Sequence, residues 1–161
     1  MKSKIMSRLD YRRGATAVFA LMLTISLSST IARSLPADNA AASIRAVIDA
    51  QAAAWNRGDV EGYMDGYDRS PNTEFVGGDS ITRGWQQVLD RYKKKYDTRE
   101  KMGTLTFSEL EIQILSNDAA LVLGRWRLQR TNDEPHGVFT LLFRKTKTGW
   151  RIVHDHSSSA T

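Results

Sequence analysis

Two places in this chain put reactive side chains in an otherwise apolar setting: Gln51, and the run Trp150-Arg-Ile-Val-His-Asp-His156 near the C-terminus. An imidazole, with an ordinary pKa of about 6.5, exchanges protons near neutral pH, which makes His154 the first candidate for proton transfer. Asp155 is the reserve, since a carboxylate acts as a base when its surroundings suit it. Gln51, a buried amide that must find partners, either makes a helix-to-loop hydrogen bond or faces a cavity, where its amide donor would polarise a carbonyl or hydroxyl. His154 and His156, at i and i+2 on one strand face, would need a third ligand to hold a metal ion. None is evident on that face, so no metal and no cofactor are expected. The serines 157–159 lie near His and Asp but lack the Gly-x-Ser-x-Gly elbow of a hydrolase. Gly77-Gly78 reads as a hairpin turn and not as a phosphate loop.

These groups have to be held by the elements around them. Ile44, Val47, Ile48, Gln51 and Trp55 fall at i, i+3, i+4, i+7 and i+11, one face of a helix capped by Asp38 or Ser43 and closed by a left-handed Gly58. Asp59 caps a short second helix with the face Val60, Tyr63, Met64 and Tyr67. A third helix, over about residues 83–96, carries Trp85, Val88, Leu89, Tyr92 and Tyr96 at the same spacing. Short strands are expected at 73–76 and 80–82, and a polar linker at 97–103. Residues 104–115, 119–130, 138–145 and 150–157 then read as consecutive strands joined by short turns. Helices first and a meander after them predict an α+β fold: a cone-shaped curved antiparallel sheet packed on three N-terminal helices, with a pocket between.

The last hairpin decides which way the candidates face. With a turn at 146–149, Lys145 opposes Trp150, Phe143 opposes Ile152, Leu141 opposes His154 and Phe139 opposes His156. Phe139, Leu141, Phe143, Ile152, His154 and His156 would then share the inner face, with Asp155 outside. A slip of one residue reverses that assignment.

Residues 1–37 read as a secretory signal peptide. Lys2, Lys4, Arg8, Arg12 and Arg13 form a basic leader, residues 15–27 are apolar, and small residues suited to cleavage follow at Ala32 or as late as Ala37. The apolar run falls short of the roughly 20 residues of a membrane span. Tyr11 and Gly14-Ala15 around the Arg12-Arg13 pair fit twin-arginine export poorly, and ordinary secretion is expected. Of the chain's 23 basic and 18 acidic residues, six and one lie in 1–37, which leaves 17 of each and a net charge of zero. The basic balance therefore belongs to the leader. No nucleic-acid partner is expected, and membrane contact is expected only during export. Lys93-Lys94-Lys95 reads as a solvated helix face. With no cysteine there is no disulfide framework, thiol nucleophile or lipoprotein anchor. The remaining residues, 38–161, suffice for one domain.

Trp55-Asn-Arg-Gly-Asp-Val60, Thr73-Glu-Phe-Val-Gly-Gly78, Thr82-Arg-Gly-Trp85, Asp118-Ala-Ala-Leu-Val122 and Gly149-Trp-Arg-Ile-Val-His-Asp-His-Ser157, in this order, resemble the nuclear transport factor 2-like superfamily. The resemblance is to its SnoaL-like and ketosteroid-isomerase-like branch of small bacterial proteins, and covers residues 43–157. It implies an α+β cone that dimerises through the outer sheet face. The tail is also similar to the association domain of calcium/calmodulin-dependent kinase II, an oligomerisation module with an arginine-lined pocket. Those arginine positions fall at Trp126 and Leu141 here, so a carboxylate-binding pocket does not carry over at those positions; Arg125 and Arg127 flank Trp126 and face the other way. The ketosteroid isomerase pattern departs as well. Its catalytic tyrosine falls at Gln51, its second acid near Phe139-Thr140, and its general-base aspartate in the strand Thr73-Glu-Phe-Val76, where Glu74 is one place off. Steroid isomerisation is therefore not expected.

The resulting expectation is an exported, periplasmic or secreted protein. It binds a small uncharged ligand in the cone, or acts on it as a ketosteroid-isomerase-like enzyme, and forms a homodimer through Leu121, Leu123, Leu142 and Val153. The alternative is a non-catalytic oligomerisation module. The expected cavity is lined by Gln51, Trp55, Tyr63, Tyr67, Trp126, Phe139, Leu141, His154 and His156, with His154, Gln51 and, in reserve, Asp155 doing any chemistry.

Overall fold

The structure, a computed structural model, describes residues 36–160, so the expected signal peptide lies outside the described residues except for its last two positions. Helix α1 (Pro36–Asn56) is followed by α2 (Val60–Met64), strands β1 (Glu74–Gly77) and β2 (Ser80–Arg83), and helices α3 (Trp85–Lys95) and α4 (Arg99–Met102). Strands β3 (Thr104–Ser116), β4 (Ala119–Gln129), β5 (His136–Thr146) and β6 (Gly149–Ser157) complete the chain. Among the described residues no helix is long and apolar enough to cross a membrane.

Local chemistry explains most boundaries. Pro36 opens α1, a position where a missing N–H costs nothing. Ser43 is not the cap. It lies within the helix, and its hydroxyl donates back to the Asn39 carbonyl at 2.8 Å. Gly58, at φ 85°, supplies the left-handed turn after α1. The Asp59 carboxylate accepts from the Gly62 N–H at 2.7 Å and caps α2. The linker expected at 97–103 contains α4, capped by the Thr98 hydroxyl.

The six strands form one sheet in the order β2-β1-β6-β5-β4-β3. It is a mixed sheet: β1 runs parallel to β6, and the other neighbours are antiparallel. That one parallel pair corrects the all-antiparallel expectation, and it arises because the short β1–β2 hairpin is added at the edge of the meander. Glu109, at φ 51°, marks a bulge in β3 between Ser108 and Glu111.

Another bulge, in β6, governs the site. Lys145 opposes Trp150 and Phe143 opposes Ile152, as the turn predicts, but Leu142 then opposes His154, leaving Val153 as the extra residue. Val153 lies where β6 changes partner. Ile152 donates to the Gly66 carbonyl and accepts from the Asp68 N–H, both at 2.9 Å, whereas His154 already pairs with Glu74 of β1. The parity of β6 reverses there: Leu141 opposes Asp155, Thr140 opposes His156 and Phe139 opposes Ser157.

The concave face of the sheet and the helices enclose the core. Ile44, Ile48 and Trp55 of α1, Met64 of α2, Val88 and Leu89 of α3, and Val122, Phe139, Phe143 and Ile152 of the sheet are buried in it. Each such side chain contributes about 1.5–3 kcal/mol on burial. Gln51, only 2% exposed, donates from Nε2 to the Tyr63 carbonyl at 3.0 Å and so ties α1 to the end of α2. Gly66 makes room for it, because a Cβ there would land on the Gln51 amide. Gly66→Ala is expected to destabilise the fold by about 1–3 kcal/mol through overpacking, read as a lowered denaturant midpoint with unchanged slope; an unchanged midpoint would contradict it.

Candidate functional site

Between the helices and the concave sheet lies a cavity of about 310 Å³. Its walls are aromatic: Trp55, Tyr63, Tyr67, Phe75, Tyr92, Tyr96, Phe107, Trp126 and Phe139 all line it. The rings meet edge to face, with centroids 4.7 Å apart for Trp55 and Tyr96, 5.1 Å for Trp55 and Tyr63, and 5.3 Å for Tyr63 and Tyr92. Their polar atoms are used locally. The Trp55 indole N–H donates to the Met102 carbonyl at 3.1 Å, and that of Trp126 donates to the Ser158 carbonyl at 2.9 Å. These two residues therefore offer the cavity ring surface only.

Asp155 is the one acidic residue among the lining side chains and is 3% exposed. The Tyr67 hydroxyl donates to its Oδ2 at 2.6 Å, and the Ser157 hydroxyl donates to its Oδ1 at 2.8 Å. Tyr67 and Tyr92 hydroxyls lie 3.4 Å apart, which extends the chain of polar atoms to α3. Burial raises the Asp155 carboxyl above its ordinary value; the Tyr67 and Ser157 hydrogen bonds and the nearby His154 and His156 offset part of that rise. Burial, and next the Asp155 charge, holds the Tyr67 phenol well above its ordinary value, so it is a donor at any working pH. A buried carboxylate fixed by two donors and facing an aromatic-walled cavity can take a proton from a bound molecule, or present one when protonated.

The structure brings Gln51, Trp55, Tyr63, Tyr67, Trp126, Phe139, Leu141 and Asp155 to this one cavity. It does not bring His154 or His156 there. The Val153 bulge turns both to the outer face, which corrects their placement in the cavity and, with it, His154 as the proton-transferring group. His154 Nδ1 lies 3.1 Å from Glu74 Oε2, and Arg83 Nε donates to the other Glu74 oxygen at 2.8 Å. Those two partners hold the Glu74 carboxyl below its ordinary value. His156 is exposed. Sequence reading assigned Tyr92 and Tyr96 to the core and missed Arg91, Lys95 and Ser157 as cavity residues. The α3 spacing held the signal, since Arg91 and Lys95 flank Tyr92 and Tyr96 on the helix surface.

The model of the SnoaL-like domain matches residues 44–161. No curated protein sequence matches the chain. Among solved structures, an NTF-2-like protein of unknown function from Shewanella oneidensis MR-1 is 42% identical over 77% of this chain and 99% of that one, with a TM-score of 0.70. A ketosteroid isomerase-like protein from Erwinia carotovora atroseptica is 22% identical over 74% and 95%, with a TM-score of 0.60. A candidate calcium/calmodulin-dependent protein kinase II association domain from Xanthomonas campestris is 19% identical over 80% and 93%, with a TM-score of 0.60. The last two share the fold. The chain belongs to the SnoaL-like domain family, within the nuclear transport factor 2-like fold.

A carboxyl whose pKa is raised by folding binds more protons folded than unfolded. Stability therefore falls as pH rises from the ordinary value of 3.8 through the raised folded value, and is flat beyond it. Asp155→Asn removes that loss. The melting temperature of the variant relative to the parent is expected to climb across this window and then level off, as followed by thermal unfolding from pH 3.5 to 8. A difference that does not change with pH would contradict the buried Asp155 described above.

Proposed function

We propose that this chain is an exported small-molecule-binding protein of the ketosteroid-isomerase-like kind. It takes an apolar molecule into the cone and presents that molecule's oxygen-bearing group to Tyr67 and Asp155. The observation that carries this reading is Asp155 itself. A core built only for stability has no use for a desolvated carboxylate, whereas a site that recognises a hydroxyl or carbonyl does. Asp155 is the group fitted to exchange a proton with the ligand, and Tyr67 the donor that orients it; Gln51 acts by holding the end of α2 in place. The cavity lies at the lower end of the roughly 300–1,000 Å³ range of sites for drug-sized ligands.

Export to the periplasm or beyond is supported by the tripartite leader in residues 1–37. A homodimer through the outer sheet face is supported by its apolar side chains: Leu123 and Val138 are 45% and 41% exposed, and neighbour the partly buried Leu121 and Leu142. The same face favours the second reading, an oligomerisation module. The aromatic cavity and its buried carboxylate favour the first, since assembly through the outer face needs neither.

Native mass spectrometry of the protein, expressed with its leader in a bacterial host, reads all three. The expected result is a subunit mass beginning between Arg33 and Asp38, a dimer, and a small non-covalent adduct that is lost in the cavity-filling variant Leu141→Trp. A subunit retaining Met1 would overturn export, and a monomer at tens of micromolar would overturn the dimer. Absence of any adduct, together with no thermal shift from a library of small oxygenated aromatics, would overturn the pocket reading.

A further inference from the structure

The cavity has a second polar pole besides Asp155. Arg91 and Lys95, one turn apart on α3, both line it. Among the described residues neither forms an ion pair, and they are the two cationic side chains in the cavity lining. The Arg91 guanidinium lies 4.9 Å from the Phe75 ring centroid, and its Nη1 donates to the Ser80 hydroxyl at 3.4 Å, so the group is held in place at the cavity edge. Lys95 sits 5.4 Å from the Tyr96 ring centroid. Beside them Gly77 and Gly78 line the same edge, and a Cβ on Gly78 would meet nothing within 4 Å. That edge is therefore open as well as cationic. Asp155, in contrast, lines the buried part of the cavity, held by the Tyr67 and Ser157 hydroxyls.

We propose that the ligand is an amphipathic anion, an apolar or aromatic body carrying a carboxylate, whose body fills the aromatic cavity and whose charge rests between Arg91 and Lys95. Resting on the pocket reading above, this names its ligand class. It departs from the uncharged ligand expected from the sequence. That expectation followed from strand positions 126 and 141, whereas these cations come from a helix that the strand comparison does not touch. A guanidinium pre-oriented on an aromatic ring loses little freedom on meeting a carboxylate. A half-buried guanidinium and an exposed ammonium at an opening also draw anions toward it. Placing the anion there leaves the uncharged end of the molecule for Tyr67 and Asp155, and keeps like charges apart.

The test uses matched pairs of probes: small aromatic and alkyl carboxylates, each with its uncharged primary amide, titrated by quenching of tryptophan fluorescence, Trp55 and Trp126 both being in the cavity wall. In the parent protein the carboxylates are expected to bind about tenfold or more tighter than their amides, with the preference shrinking as salt is raised. The double variant Arg91→Gln, Lys95→Gln is expected to bind both members of a pair alike, at the parent's amide affinity. Lys95→Gln, a single neutral change at an exposed position that introduces no carboxylate partner for Arg91, is expected to weaken carboxylate binding while sparing the amide. Equal binding of acid and amide by the parent, or a preference surviving both variants, would overturn the anion proposal and leave the pocket reading standing. Failure of every pair to bind would overturn both.

Discussion

Strand β6 carries the constraint on which the rest depends. It is hydrogen-bonded along both edges, to β5 on one side and, on the other, first to the Gly66–Asp68 segment and then to β1. The two partners on that second edge are not in one register, and Val153 absorbs the difference. One residue of bulge converts an alternating strand into one that buries Ile152 and Asp155, three positions apart. Without it the inner face would present His154, and the carboxylate would lie in solvent. The same junction draws Tyr67 beside the strand, through its bridge to Ile152, and so delivers the hydroxyl that Asp155 needs. A buried carboxylate lacking such donors would cost several kcal/mol. The bulge and the tyrosine therefore have to occur together.

The helices hold this arrangement from the opposite side. Gln51 fastens α1 to the α2 end at Tyr63, and the lack of a side chain on Gly66 lets the amide lie against the turn that leads into Tyr67. Trp55 bonds to the Met102 carbonyl and fixes α4, while the Asn56 side chain bridges both backbone groups of Leu105, at 2.7 and 3.0 Å, where β3 begins. Helix α3 is tied in by the Trp85 indole, which donates to the Met64 carbonyl at 3.0 Å. Each of these bonds satisfies a carbonyl or N–H at an element end, where helices and strands leave groups unpaired. The cavity walls are thus held by groups that the fold has to satisfy in any case, and the ring faces remain free for a ligand.

Much of this was readable in the residues. The three helical stripes, the hairpin at Gly77-Gly78 and the four-strand meander follow from periodicity and turn chemistry, because burial imposes a period of 3.6 on a helix and 2 on a strand. Gln51 was visible as an amide among apolar residues. The pairing of Phe143 with Ile152 was readable from the turn. Two residues further on it was not. A bulge leaves no mark in a sequence whose neighbouring residues, Val153 and His154, are tolerated on either face, and its cause is a partner segment some 85 positions away. The parallel pairing of β1 with β6 was hidden for the same reason. Lys95 was read as part of a solvated run because its neighbours Lys93 and Lys94 are; a helix turns 100° per residue, and adjacent lysines do not share surroundings.

The division of labour between the two sheet faces explains why membership of this family does not transfer an activity. In a cone built on alternating strands, the face a residue occupies is set by local register, and a bulge of one residue exchanges the inner set for the outer. Here the exchange places His154 against Glu74 on the outside, where it pairs β6 with β1, and Asp155 inside against Tyr67. Relatives can keep every helix, strand and turn, and yet present a different ionisable group to the cavity by gaining or losing that one residue of slack. The fold then fixes the cavity between helices and concave sheet, while the side chains that line it depend on bulge position and on what each helix contributes.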